Sequence, residues 1–492
     1  MSEQSSGVQG PRDSEELEDR PIAQRKNGLT PAVSDELGEN MRQGWADTER
    51  HGLAPIPQAA HTARRRAALS ARFPGELLVV PAGNPIVRAN DTHYPFRPSS
   101  DYLYLTGDQT EDGVLVLEPE EDGGHRAVAY LRPRSDRDNG EFWLDGHGEL
   151  WDGRRNSLTE NERLLGLPCR DVRTLEGRLR AATGPVRLLR EVDAGVEAAL
   201  RDRVTPERDE EFRVHLSEMR LVKDDFEIAE LRFACEATVR GFEDVVRTLD
   251  RAVETSERYI EGTFFLRARL EGNAVGYGTI CAAGPHATIM HWVRNDGDVR
   301  PGELLLLDAG VETNRFYTAD LTRTLPIDGR FTPFQRKIYD AVYAAQEAGI
   351  AAVKPGAAYR DFHHAAQRVL AEHLVSWGLF GDRPVDEVFD LGLHRRWTLT
   401  GTGHMLGLDV HDCAAARTET YVDGTLEAGM VLTVEPGLYF QADDETVPAE
   451  YRGIGIRIED DILVTESGNE SLSAALPRRA EEIEDWMARL RA

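Results

Sequence analysis

The chain has 492 residues, more than one hydrophobic core usually serves, so two domains are expected. Its 58 basic and 86 acidic residues give a formal charge of −28, which argues against a nucleic-acid backbone or an anionic membrane surface as partner. No apolar run approaches the roughly 18 residues of a membrane span, and "MSEQSSGVQGPRDSEELEDR" lacks the basic start and apolar segment of a signal peptide, so a cytoplasmic protein is expected.

Residues 1–62 are polar, charged and poor in aliphatics, and predict a disordered or loosely attached tail. "HTARRRAALSARF" follows with a helical pattern. "ELLVV" (Glu76–Val80), "DYLYLTG", "GVLVL" and "AVAYL" (Ala127–Leu131) predict strands, and "VEAALRDRV" a helix, which makes residues 63–207 an α/β domain. A long helix is expected from near Glu210 towards Leu249, with Ile228, Leu231, Cys235, Val239 and Phe242 forming one apolar stripe. The second domain is placed at 208–492. It alternates "ELLLLDAG", "FYTADLTRTLPI", a helix with Ile338, Ala341, Val342 and Ala345 on one face that stops at Pro355-Gly356, and the strands "MVLTVEPGLYF" and "GIGIRIEDDILVT". The cysteines (Cys169, Cys235, Cys281 and Cys413) are scattered without a CxxC pair, so buried thiols are expected rather than a zinc ribbon or disulfide scaffold.

Acids interrupt several of these strands. Asp308 ends "LLLLDAG", Asp320 follows twelve residues later in "YTADLTRT", Glu435 breaks "MVLTVEPGLYF" and Glu459 breaks "GIGIRIEDDILVT". A turn around "ETNR" would fold the first two segments into a hairpin and bring Asp308 and Asp320 together. An acid at a strand end is ordinarily a turn former or an arginine's partner. Four of them gathered in a poorly hydrated pocket require protons or cations. "GTGHMLGLDVHD" adds histidines, with glycines before His404 that let backbone come close. Four carboxylates and an imidazole form a hard, oxygen-rich set suited to two divalent ions, which activate water and polarise a carbonyl. The reaction expected from this set is hydrolysis of an amide or similar bond.

In this order, "LLLLDAG", "ADLTRT", "GTGHMLGLDVHD", "MVLTVEPGLY" and "YRGIGIRIEDDI" resemble the M24 metallopeptidase family with its pita-bread fold, and within it the aminopeptidase P group, which cleaves Xaa-Pro bonds. "RPSSDYLYLTG", "ELWDGRR" and "MRLVKDDFEIAELR" resemble that group's N-terminal domain and interdomain helix. The resemblance implies an α/β N-terminal domain followed by an α+β pita-bread catalytic domain. It implies that Asp308, Asp320, His404, Glu435 and Glu459 bind two metal ions, with manganese expected. Asp320 and Glu459 would bridge them, and Glu435 would move the proton as a bridging hydroxide attacks the Xaa-Pro carbonyl. His291 and His411 would contact substrate or the tetrahedral intermediate, Arg457 would orient a carboxylate, and Trp151 would shape the substrate pocket. The substrates would be peptides with proline second, and the assembly a homo-oligomer, a dimer or tetramer.

Two departures stand out. The Asp308–Asp320 spacing of twelve exceeds the eleven of many members, and a longer turn or a bulge would absorb the extra residue. Thr400 stands where the family commonly has histidine, and a hydroxyl can hydrogen-bond but not take up a proton's charge. The alternatives are a prolidase with the same ligand set, and a non-catalytic pita-bread module that holds peptides. The filled ligand positions favour an enzyme over the latter.

Overall fold

The structure, a computed structural model, describes residues 34–90, 92–144 and 146–492. The chain divides into two compact units between Arg213 and Val214.

The first unit is built on a five-stranded mixed sheet in the order β4-β3-β2-β1-β5: β1 (Leu77–Pro81), β2 (Val114–Pro119), β3 (His125–Leu131), β4 (Cys169–Asp171) and β5 (Val186–Leu188). β1–β2 and β2–β3 are antiparallel, while the outer strands β4 and β5 run parallel to their neighbours. β1 is buried at every position, as expected for a strand covered on both faces. The segment "DYLYLTG" is a helix (Ser100–Thr106) and not the expected strand. Ser99 caps it by accepting from the Tyr102 amide, Gly107 ends it at φ 71°, and residues 102–106 are all buried, so alternation of aromatic and aliphatic residues carried no strand information.

Residues 1–33 of the expected tail lie outside the described residues. Within residues 34–62, the stretch from Arg50 is bonded to the rest of the unit. The Ile56 amide donates to the Leu164 carbonyl at 2.9 Å, and the first long helix already begins at Ala59. The reason is Glu160, whose fully buried side chain needs positive partners. The Arg50 amide (2.6 Å) and the Arg154 guanidinium supply them and tie this polar stretch down.

In the second unit β6 (Ile280–Ala283), β7 (Leu304–Ala309) and β8 (Leu321–Pro326) form an antiparallel sheet with β7 central. All six β7 residues are buried, and each leucine contributes about 1.5–3 kcal/mol, which lets the strand carry a carboxylate at its end. The two long late strands are each broken at their acid. β9 (Val431–Val434) and β10 (Gly437–Phe440) flank Glu435, and β11 (Ile454–Arg457) and β12 (Asp460–Val464) flank Glu459. β9 pairs with β12 and β10 with β11, and a bridge from Thr322 to Glu459 joins β8 to the second break. Around them pack α1 (Asp225–Arg247), α2 (Glu257–Glu271), α3 (Pro333–Ala352) and α4 (Arg360–Ser376), whose buried residues share one apolar core with β7 and β8. The expected long helix is interrupted. Pro206–Met219 ends, and α1 restarts behind a capping box in which Asp224 and Glu227 satisfy each other's amides. The four cysteines are free and buried, and no described helix is long and apolar enough to cross a membrane.

Candidate active site

The β7–β8 hairpin sets the first two acids. Its register runs unbroken from Leu304 opposite Pro326 to Ala309 opposite Leu321, and the Glu312–Thr318 bridge continues it. Asp308 faces Thr322, and Asp320 lies two positions further towards the turn, diagonal to Asp308 on the same face. There is no bulge. The turn is a three-residue tip, Asn314–Phe316, closed by the Thr313 amide on the Tyr317 carbonyl, with Phe316 at φ 68°. Gly310 is required between the acids, since a Cβ there would lie 1.7 Å from the Ala319 carbonyl oxygen.

The breaks beside β9–β12 present Glu435 and Glu459 to the same space. The Glu435 amide donates to the Thr402 carbonyl at 2.8 Å and the Thr433 amide to the His404 carbonyl at 2.9 Å, so the glycine-rich loop and β9 are laced together. Gly403 permits this approach, because a Cβ would sit 2.0 Å from the Thr433 carbonyl oxygen. The backbone that those glycines admit is therefore β9.

Together these residues line a cavity of about 600 Å³ that contains Asp308, Asp320, His404, Glu435 and Glu459, as well as His291, His411, Arg457 and Thr400. Ligand atoms of Asp320, His404 and Glu459 lie within 4.8 Å of one another. His404 Nε2 is 3.3 Å from Asp320 and 3.6 Å from Glu435, while its Nδ1 faces the Met405 carbonyl at 3.1 Å, so that a cation displacing the Nε2 proton would find that nitrogen turned towards the acids. Asp308 reaches the group through Tyr277, whose hydroxyl lies 2.7 Å from Asp308 and 2.6 Å from Asp320. One hydroxyl proton serves only one of those carboxylates, so the other contact needs a proton on the carboxyl or a cation nearby. Arg457 pairs with Asp308, donates to Thr322 Oγ1 at 3.1 Å and to the Tyr439 hydroxyl at 3.0 Å, and Thr322 in turn donates to Glu459 at 2.6 Å.

The electrostatics follow from burial. Burial and the neighbouring Asp320 charge push the Glu459 carboxyl well above the usual carboxylate range, and burial raises Asp308 against the pull of Arg457. Burial lifts Glu435 to about 7. His404 moves the other way from what its burial favours, since its hydrogen bond to Asp320 and the Glu435 charge raise it to about 9. His411, which packs edge-on against His404 at 4.4 Å between ring centroids, is lowered by burial and by that neighbour. Four acids thus share a pocket with one arginine and three histidines, of which His404 lies against the acids. The donor set, the convergent Nε2 and the excess of negative charge fit divalent cations.

Of the residues singled out from sequence, only Trp151 is not among those lining the cavity. It belongs to the first unit, is about half exposed, and donates its indole N–H to the Trp143 carbonyl at 3.1 Å. Sequence reasoning did not find Tyr277, Thr322, Tyr439 or Asp461, the last of which accepts the Asp320 amide at 3.1 Å. For Tyr277 a signal existed: it lies between Gly276 and Gly278, and Gly276 has no room for a Cβ beside Thr318.

Comparison with known proteins places these features. Residues 229–466 match the model of metallopeptidase family M24, and residues 62–185 match the aminopeptidase P N-terminal domain. The chain is 73% identical to Xaa-Pro aminopeptidase 1 of Streptomyces coelicolor, over 98% of this chain and 97% of that protein. It is 34% identical to the Xaa-Pro aminopeptidase of Escherichia coli, over 89% of this chain and 100% of the relative. Among solved structures, zinc-substituted Escherichia coli aminopeptidase P in complex with product superposes with a TM-score of 0.80 at 33% identity, covering 89% of this chain and 100% of that one.

Proposed function

The chain belongs to metallopeptidase family M24, in the branch whose catalytic domain follows an aminopeptidase P N-terminal domain, and from that premise we propose how it releases the first residue of peptides with proline second. It is a metal-dependent aminopeptidase. The observation that carries the detailed reading is the convergence of Asp308, Asp320, His404, Glu435 and Glu459 on one cavity.

In this reading those five residues would hold two divalent ions, with manganese the ion expected. Bound there, the ions would polarise the scissile carbonyl and make water nucleophilic at neutral pH. The protein's own groups do the rest. Glu435, on the cavity wall beside His404, takes the proton from the attacking water and delivers it to the departing proline nitrogen. His291 and His411, on the cavity wall, donate to the carbonyl oxygen as negative charge develops on it. Arg457, bonded to Asp308, Thr322 and Tyr439, keeps Asp308 turned towards the site. An Xaa-Pro bond offers no N–H and carries a rigid ring, so activation of its carbonyl replaces the backbone contacts that other peptidases use. Trp151 as a pocket residue, a cytoplasmic location and a homo-oligomeric assembly belong to the same reading through the family resemblance.

The test is hydrolysis of Ala-Pro-Ala against Ala-Pro by chelated protein, with and without added manganese. Manganese-dependent release of alanine from the tripeptide, with the dipeptide barely cleaved, is the expected result. The reverse preference would make the enzyme a prolidase, and absence of both turnover and metal binding would favour a peptide-holding module.

Thr400 lines the cavity and is exposed to it. Thr400→His should change kcat/KM for Ala-Pro-Ala about three- to tenfold, the worth of one hydrogen bond, with metal content unaltered. Unchanged kinetics would remove Thr400 from the reaction.

A further inference from the structure

The wall of the cavity that carries His291 is anchored from outside the cavity by a single carboxylate. Glu257 opens α2, and its side chain is fully buried. Its two oxygens meet four donors. Oε1 accepts the Ala283 amide and His286 Nδ1, both at 2.8 Å, and Oε2 accepts the Gly297 amide and the Trp292 indole N–H, also at 2.8 Å. All four donors lie in the segment 283–297, which leaves the end of β6, passes the cavity with Met290, His291 and Val293, and returns.

The same segment is fastened in other ways. The Glu257 amide donates to the Gly297 carbonyl at 3.0 Å, and the His286 and Trp292 rings stack at 3.8 Å, so two of the four donors also hold each other. Gly297 cannot carry a Cβ, which would lie 2.3 Å from His286 and 2.9 Å from the Glu257 carboxylate. On the β6 side, buried Asn295 accepts the Cys281 amide and donates to the Thr279 carbonyl, both at 2.9 Å. Anchors therefore stand on both sides of His291, which is itself exposed to the cavity.

Such an arrangement is costly unless position matters. A buried carboxylate with every lone pair used is stable only while all donors stay in place, and a site group displaced by about 1 Å loses much of its effect on the transition state. We propose that Glu257 is the positioning residue for His291: it fixes the 283–297 wall, and through it the distance from the His291 imidazole to the reacting carbonyl. This rests on the reading of His291 as a substrate contact. Glu257 itself touches none of the proposed metal-binding acids.

The test is a double-mutant cycle on manganese-loaded enzyme with Ala-Pro-Ala, using Glu257→Gln, His291→Ala and the pair. Glutamine keeps the shape and turns an N–H₂ towards two donors. The expected result is a fall in kcat of about 10- to 100-fold for Glu257→Gln, with a smaller change in KM and full metal content. In the His291→Ala background the same substitution should change kcat by less than about twofold, since residues that act as one unit are not additive. Full additivity, or an unchanged kcat in Glu257→Gln, overturns the proposal while the reading of His291 stands. A neutral His291→Ala overturns that reading and the proposal with it. If Glu257→Gln does not fold, Trp292→Phe removes one of the four donors while keeping an aromatic ring, and the cycle is read in the same way.

Discussion

Replacing Glu435 by glutamine is expected to lower kcat for Ala-Pro-Ala by about 10²–10⁴-fold, the usual worth of a positioned acid–base group. The side chain stands in the gap between β9 and β10, with its backbone tied to Thr402 and its carboxyl 3.6 Å from His404 Nε2. Glutamine has the same size and retains a carbonyl oxygen, so the strand break and the cavity are preserved. It lacks the ability to accept and release a proton, which the Glu435 carboxylate has. Steady-state kinetics at saturating manganese separate this loss from weaker metal binding. A glutamine variant within about tenfold of wild type would remove Glu435 from the proton-transfer step.

The second large effect is a metal-dependent change in the pH profile of stability. In metal-free protein Glu435 titrates at about 7 against an ordinary 4.5, and Asp308 and Glu459 are raised as well. Raised carboxyls favour the folded state when protonated, so their stabilisation is present below 4.5 and is lost as pH climbs through the folded values. His404, raised from 6.5 to about 9, stabilises below 6.5 and loses that contribution as pH rises towards 9. Both run in one direction. The shift of Glu435 alone corresponds to roughly 3 kcal/mol. The rise in Tm produced by a divalent ion should therefore grow from pH 5 to pH 9, as cations take the place of protons, while histidines lowered by burial elsewhere, such as His363, contribute alike to both samples. Thermal denaturation of chelated and loaded samples at several pH values checks this. A Tm difference that is flat or shrinks with pH would show that these acids do not form the metal site.

Much of this site was legible in the chain because its acids violate strand chemistry. Asp308, Glu435 and Glu459 stood out against aliphatic neighbours, and glycines next to His404 announced a close backbone approach, which proved to be that of β9. What could not be read were groups whose residue type is ordinary for their place. Thr322 is a β-branched residue in a strand, Tyr439 an aromatic in a strand, and only the hairpin and sheet pairings make one a relay between Arg457 and Glu459 and the other a prop for the guanidinium. Glu257 was invisible for another reason: an acid in the first turn of a helix is favoured there by the helix dipole, so nothing marks the one that is buried. The helix at "DYLYLTG" was misread because its residues are buried all round, which erases any period.

The unbroken register of the β7–β8 hairpin bears on how such chains diverge. From Leu304 opposite Pro326 down to Glu312 opposite Thr318 the two strands are locked residue to residue, and only the tip at 314–316 is free of that ladder. The count of residues between Asp308 and Asp320 is then evolutionary slack. Insertions or deletions at the tip lengthen or shorten the motif without moving either carboxylate, whereas a one-residue slip in the pairing of the two strands would turn one acid to the opposite face. A motif defined by fixed spacing would overlook functional members.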